Sequence, residues 1–272
     1  MNLLIQTYHE KNVDRLNELV LCILSNLQNV NVNKVINLCE GNDDNYLPSI
    51  IRNHSKYVCK NGFERITYKK AIEFANENLH NQTVGLINTD IMLDEQFNIK
   101  ELNKVLVDNV IIANSRHEID ITNGQIYLDN TFAQGFHAHT QDAWFFKTPI
   151  HIKPHVDIDF ELGILGCDNA IAHRLKLCNY KLYNMPERFK IIHVDSVRGK
   201  SSQNFKQFHN SKNIEKKIHK KPEKDGSAMV PNYDAVKNIS IDSLIQSLHF
   251  DEQKRVLLIS HILSENIKIN NE

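Results

Sequence analysis

Glycine is scarce in this chain and late to appear: there are nine in 272 residues, and the first is Gly41. Folds that grip phosphate through backbone amides announce themselves with glycine, as G-x-G-x-x-G after a first strand or G-x-x-x-x-G-K-[ST] ahead of a helix. Neither pattern occurs. That argues against an NAD-type Rossmann enzyme, a P-loop NTPase, and a sugar nucleotidyltransferase, which needs a glycine-rich loop after its first strand. The five cysteines form no C-x-x-C pair, are odd in number and sit mostly in apolar runs. Reduced, buried thiols in a cytosolic protein are the expectation. No apolar run approaches the ~18 residues of a membrane span, and Met1 to Thr7 is too short for a signal peptide. The expectation is a cytoplasmic protein without a membrane span. Charge of neither sign predominates, the formal net being −1, so nothing draws the whole chain to nucleic acid or to a membrane surface.

What is present is the composition of a globular protein, 41% hydrophobic and 24% charged, in a length that suits one large α/β domain or two small ones. Leu3 to Thr7 reads as a short buried strand. Leu16, Leu19, Val20, Ile23, Leu24 and Leu27 recur at the spacing of one helical face. Strands are expected at Val35–Cys39, Val84–Asn88, near Val110–Ala113, at Asp142–Lys147 and at Phe189–Val194. Helices are expected at Glu64–Leu79 and Gly166–Cys178. Strands alternating with helices argue for a parallel sheet with both faces covered. The composition then changes: Arg198 to Lys224 carries nine basic residues against Glu215 and Glu223, which reads as an exposed loop or flap. Helical patterning returns from Ile241 onward.

Two segments carry the chemistry. Leu86-Ile87-Asn88-Thr89-Asp90-Ile91 is an apolar run that delivers one carboxylate to the end of a strand. An acid so placed suits metal-assisted handling of a phosphorylated ligand, the substrate phosphates completing the coordination. Gly163-Ile164-Leu165-Gly166-Cys167-Asp168-Asn169 is a glycine-flanked turn that opens a helix with a second carboxylate, which suits a general base; capping the helix is the other use of such an aspartate.

These residues resemble the GT-A glycosyltransferases, and a branch of them with the patterns N-S-D-I, S-Q-D-A-W-I-F and G-C-D-N-R-I-A-Y-E-L. Here they read Asn88-Thr89-Asp90-Ile91, then Thr140-Gln141-Asp142-Ala143-Trp144-Phe145-Phe146, then Gly166-Cys167-Asp168-Asn169-Ala170-Ile171-Ala172-His173-Arg174-Leu175, in the same order and spacing. Tyr8, Arg15, Glu18, Asn26-Leu27, Glu40 and Arg65-Ile66-Thr67-Tyr68 also fall where such enzymes have them. The resemblance covers about residues 3 to 198. It implies an α/β, GT-A-like (Rossmann-like) mixed sheet flanked by helices over residues 1–197, followed by a basic loop or flap (198–239) and a C-terminal helical extension (240–272). The implied activity is hexosyl or pentosyl transfer from a nucleotide-sugar donor, a UDP-sugar first of all, to a hydroxyl, with Mn²⁺ or Mg²⁺. The branch is similar both to glycosyltransferases of surface-polysaccharide clusters and to those that bacteriophages and kinetoplastids use on hydroxymethylated pyrimidines in DNA, so both acceptors stay open. A catalytically inactive nucleotide-sugar or DNA-binding module is the reading from another class, and the intact Asp90 and Asp168 argue against it.

The implied roles follow residue by residue. Asp90 is a metal ligand bridging to the donor diphosphate, with His193 as a second ligand, an imidazole suiting Mn²⁺. Asp168 is the base that deprotonates the acceptor. Tyr8, Glu40, Arg65, Asn88, Asp142, Asn169 and Arg198 are donor-binding candidates: Tyr8 to stack on the base, Glu40 to accept from base or ribose, Arg65 and Arg198 to meet phosphate, Asn88 to bind ribose or orient Asp90, Asp142 and Asn169 to bond sugar hydroxyls. Against each stands ordinary packing, capping or surface pairing. The chain departs from the family in having one acid where many GT-A enzymes have D-x-D, so a metal would have fewer protein carboxylates. The histidines at 137, 139, 151 and 155 have no cysteine or further ligand set with them and are not read as a zinc site.

Overall fold

The computed structural model describes residues 1–120, 125–128, 141–164, 166–195, 222, 226–228 and 230. The stretch from Arg198 to Lys224 is outside the described residues apart from Pro222, and the expected helices beyond Ile241 are wholly outside them.

The first strand, β1 (Asn2–Ile5), is buried along its whole length. Helix α1 (Val13–Gln28) follows, opened by Asn12, whose side chain accepts from the backbone N–H groups of Asp14 and Arg15 and so satisfies two of the helix's first unpaired donors. Next come β2 (Lys34–Glu40), a single helical turn α2 (Ser49–Arg52), β3 (Tyr57–Phe63), helix α3 (Tyr68–Asn78) and β4 (Thr83–Ile87). Then follow β5 (Ile91–Leu93), α4 (Ile99–Val105), β6 (Val110–Asn114), β7 (His117–Asp120), β8 (Gln125–Leu128), β9 (Ala143–Lys147), α5 (Cys167–Leu177), β10 (Lys181–Tyr183) and β11 (Ile191–His193). Seven strands form one sheet in the order β10-β6-β9-β4-β1-β2-β3, and four form a second, β5-β11-β7-β8. In the large sheet β9 alone runs against its neighbours, antiparallel to β4 and β6; the other pairings are parallel. The protein is therefore a mixed α/β fold with helices on its sheet, as expected, and β9 is the strand that makes the sheet mixed.

Alternation along the strands splits the core in two. Leu3 and Ile5 join Ile23 and Leu27 of α1 on one face, while Leu4 joins Val84, Leu86, Ala71 and Ile72 on the other. Trp144 packs edge-on against Tyr68 within that second layer; it is a core residue and not a sugar platform. The structure starts α3 at Tyr68, four residues later than the pattern predicts. Thr67 caps it, and the N–H groups of Tyr68 and Lys69 bond to Phe160 and Ile158 carbonyls.

Gly85 sits in the middle of β4, the strand that leads to Asp90. A Cβ there would lie 2.9 Å from both Leu3 Cδ2 and Phe145 Cε1, and both side chains are fully buried. Because neither neighbour has free space to move into, Gly85→Ala should lower unfolding free energy by about 1–3 kcal/mol, read by chemical denaturation. An unchanged denaturation midpoint would mean that the strand spacing is more forgiving than this contact implies.

Candidate active site

In an open α/β sheet a ligand site forms at the carboxyl ends of the strands, where chain connections diverge to either side. Here β1 lies between β2 and β4, and the divergence falls at its end. Gln6 stitches that end together. Its side-chain amide donates to the Leu38 and Glu64 carbonyls and accepts from the Ile66 N–H. Because β9 runs backwards, its first residue arrives at the same rim: Asp142 pairs through its backbone with Asn88 and Asn114.

Around Asp90 the structure gathers charge from four elements. Arg15, in the first turn of α1, is only 4% exposed. Its Nη2 donates to Asp90 Oδ2, while Nη1 donates to Glu18 at 2.8 Å and to the Val194 carbonyl at 2.8 Å and lies 3.6 Å from Asp195. His193, at the end of β11, points Nε2 at Asp90 Oδ2 from 3.3 Å. Its Nδ1 meets both oxygens of Glu118, at 2.9 and 3.1 Å. Asp195 Oδ2 lies 4.0 Å from the same Nε2. Burial opposes the imidazolium, but Asp90 and Glu118 outweigh it and raise the His193 pKa to about 9. Burial likewise opposes the Glu118 carboxylate, yet His193 and Arg116 carry its pKa down to about 2.

A second group centres on Asp142, which is 7% exposed. Arg116 Nη1 donates to both of its oxygens at 3.1 Å and Asn88 Nδ2 donates to Oδ1 at 2.9 Å. Asn88 thus orients Asp142, where the sequence suggested ribose or Asp90. Asp168 lies in the first turn of α5. The cap of that helix is Gly166, in the left-handed region at φ 86°, so Asp168 is not the N-cap residue. Asp168 Oδ1 accepts from Tyr68 Oη at 3.3 Å and from Cys167 Sγ at 3.4 Å. Burial pushes the Asp168 carboxyl up and the Asp142 charge adds to it; Cys167, Tyr68 and Arg116 hold it back, and the outcome is a pKa of about 7. A carboxyl so poised can carry a proton or take one near neutrality. Asn169, beside it, has a buried side-chain oxygen with no hydrogen-bond partner among the described residues.

The remaining candidates fall on the same rim without meeting these groups directly. Tyr8, 42% exposed, donates to Glu10. The Glu40 backbone N–H bonds to the Thr7 carbonyl. Arg65 pairs with Glu161 at 3.3 Å and donates to the Leu162 and Gly163 carbonyls, so it ties down the loop leading to α5. Arg198 is outside the described residues. Arg174 is buried over the Phe160 ring, 5.0 Å from its centroid. Sequence reasoning assigned no role to Arg15, Arg116, Glu118, Tyr68 or Asp195. An arginine or acid just after a strand or on a helix face carries no local mark of the partner it will meet.

Among the described residues, no three His, Cys, Asp or Glu side chains are arranged to hold a metal ion. Among the described residues, Asp90 and His193 are the pair that could meet a divalent cation. That pair has the chemistry for it: Nδ1 of His193 is committed to Glu118, the usual way a ligating imidazole is held, and Nε2 faces a carboxylate. Among the described residues no helix is long and apolar enough to cross a membrane.

No known protein family's sequence profile matches the chain, and no curated protein does. Solved structures do resemble it. One is a crystal structure of GalNAc-T7 with UDP, GalNAc and Mn²⁺, 11% identical over 73% of this chain with a TM-score of 0.47. The match spans 43% of the length of that chain. Another is HddC from Yersinia pseudotuberculosis, 13% identical over 76% of this chain and 96% of the other, with a TM-score of 0.40.

Proposed function

We propose that this protein is a GT-A-type glycosyltransferase that moves a sugar from a nucleoside diphosphate donor, a UDP-sugar first of all, to a hydroxyl. The observation that carries the reading is the chain of buried charge that joins the Asp90–His193 pair through Glu118 and Arg116 to Asp142, whose charge acts in turn on Asp168, an aspartate with a pKa of about 7. Asp90 and His193 would hold Mn²⁺ or Mg²⁺, whose chemistry when bound is to neutralise the departing diphosphate. Arg15 keeps Asp90 turned into the site. Asp168 accepts the proton of the attacking hydroxyl, most simply with inversion at the anomeric carbon. Asp142, fixed by Asn88 and Arg116, offers its carboxylate to sugar hydroxyls, and the unpaired oxygen of Asn169 offers an acceptor next to the base. Tyr8, Glu40 and Arg65 frame the nucleotide end, and Arg198 is assigned to the diphosphate.

The test is a donor screen: purified protein, Mn²⁺ and a panel of nucleotide sugars, with released nucleotide as the signal. Release from one donor, lost in chelator and restored by Mn²⁺, is the expected result. No release or nucleotide binding from any donor would reject the reading.

For the acceptor, the favoured proposal is a hydroxymethylated pyrimidine in DNA. It is supported by the nine basic residues between Arg198 and Lys224 in a chain of net charge −1, since a local basic stretch can follow a phosphate backbone on a neutral protein. Duplex affinity should fall steeply with salt. Charge reversal at Lys216, Lys217, Lys220 and Lys221 should slow transfer to DNA and spare donor hydrolysis. Absence of DNA binding at low salt, with transfer to a simple glycan, would assign the enzyme to surface-polysaccharide synthesis instead.

A further inference from the structure

Two buried carboxylates from different sheets share one guanidinium. Glu118 belongs to β7 of the small sheet, and Asp142 directly precedes β9 of the large one. Arg116 Nε donates to Glu118 Oε1 at 2.7 Å, and Nη1 of the same planar fork donates to both oxygens of Asp142 at 3.1 Å. Behind Glu118 stands His193, and behind Asp142 stands Asn88. The chain of contacts therefore runs from Asp90 through His193, Glu118 and Arg116 to Asp142 and Asn88, whose backbone leads back to Asp90 two residues on.

Resting on the glycosyltransferase reading above, we propose that Arg116 is a positioning residue that locks the Glu118–His193 pair, on the diphosphate side, and Asp142, on the sugar side, into a single frame. The two sheets have no strand in common, so a small slide between them would separate His193 from Asp142. A guanidinium resists such a slide because its donors are fixed in one plane, whereas a lysine ammonium is a single point on a flexible stem. An ordinary surface ion pair would contribute little. Here, however, the Glu118 and Asp142 side chains are only 11% and 8% exposed against 27% for Arg116, so removing the arginine leaves Glu118 with His193 and Asp142 with Asn88, no longer tied to each other and with little water to replace the guanidinium. The Arg116 charge also acts on Asp168, beside the Asp142 charge and the hydrogen bonds from Cys167 and Tyr68. Its charge and its geometry can therefore be read separately.

The experiment compares the full chain with Arg116→Gln and Arg116→Lys by three measurements that need no turnover. These are calorimetric binding of Mn²⁺ with UDP, ring ¹⁵N shifts of His193, and the titration midpoint of Asp168 by carboxylate ¹³C NMR. Arg116→Gln should weaken Mn²⁺–UDP binding by ~10-fold, move the His193 ring signals and shift the Asp168 midpoint upward from about 7. Arg116→Lys should return the Asp168 midpoint toward the parent value, because charge is restored, and leave Mn²⁺–UDP binding weak, because the fork is not. Unchanged His193 signals and unchanged nucleotide binding in Arg116→Gln, or full rescue of both by lysine, would overturn the proposal. If the parent protein binds no UDP, the reading of function fails, and the His193 signals and the Asp168 midpoint still decide the part played by Arg116.

Discussion

At pH 8 the Asp168→Asn variant is expected to be nearly inert and yet to melt at a higher temperature than the parent protein. Turnover should fall by a factor on the order of 10²–10⁴, the usual worth of a positioned base, with donor affinity close to the parent's. The stability gain follows from linkage. The folded pKa is about 7 against a model value of 3.8, so between those pH values the folded chain keeps a proton that the unfolded chain has released. Parent stability therefore declines as pH rises through that window and is flat above it. Asparagine carries no such penalty. The variant's advantage should be absent near pH 3, grow up to pH 7, and reach on the order of 1–3 kcal/mol, below the ~4 kcal/mol that a full three-unit shift would give because Asp168 keeps some contact with solvent. Melting curves at pH 3, 5.5 and 8 measure it. The parent's kcat/KM should fall on the acid side with a midpoint near 7. A variant that loses folding and donor binding together would instead make Asp168 a structural support of the α5 first turn.

Asp90 should behave in the opposite way. Asp90→Ala is expected to abolish turnover and to remove detectable Mn²⁺–UDP binding, while Arg15 keeps Glu18 and Asp195 as partners and the fold persists. Asp90→Asn is the companion variant, because it preserves an oxygen for the Arg15 fork and removes only the charge. Circular dichroism and melting establish folding, and calorimetry establishes binding. Wild-type affinity for Mn²⁺ and UDP in a folded Asp90→Asn protein would remove Asp90 from the diphosphate site.

The strands that form the centre of the large sheet could be read directly from the residues, because each is an apolar run of a length that only a buried strand uses. Leu3 to Ile5, Val35 to Cys39, Val84 to Ile87 and Val110 to Ala113 are of this kind. The edges could not. In β3 only Tyr57 is buried while Lys60 to Gly62 are exposed, so no period marks it. β5 and β10 are three residues each, and three of the four residues of β7 are polar, whereas the equally short β11 lies within Phe189–Val194, which does read as a strand. The acids of the site were legible because Asn88-Thr89-Asp90 and Gly166-Cys167-Asp168 each pair a carboxylate with a recognisable structural boundary. Of the groups that set their chemistry, His193 was read as a candidate metal ligand, but Glu118, Arg116 and Arg15 were given no role. Glu118 and His193 are 75 residues apart, as are Arg15 and Asp90, and a charge taken alone does not name the partner it will meet. The mixed sheet was expected from the resemblance, but which strand runs backwards was not legible, since an apolar run does not state its direction.

The guanidinium of Arg15 reaches a carbonyl 179 positions further along the chain. A ribosome adding 5–20 residues per second needs about 10–40 s to cover that distance. Through that interval the nascent protein can build β1, α1 and β2 around their apolar faces, with Arg15 and Glu18 already side by side. Asp90 arrives midway, and His193 closes the cluster only at the end.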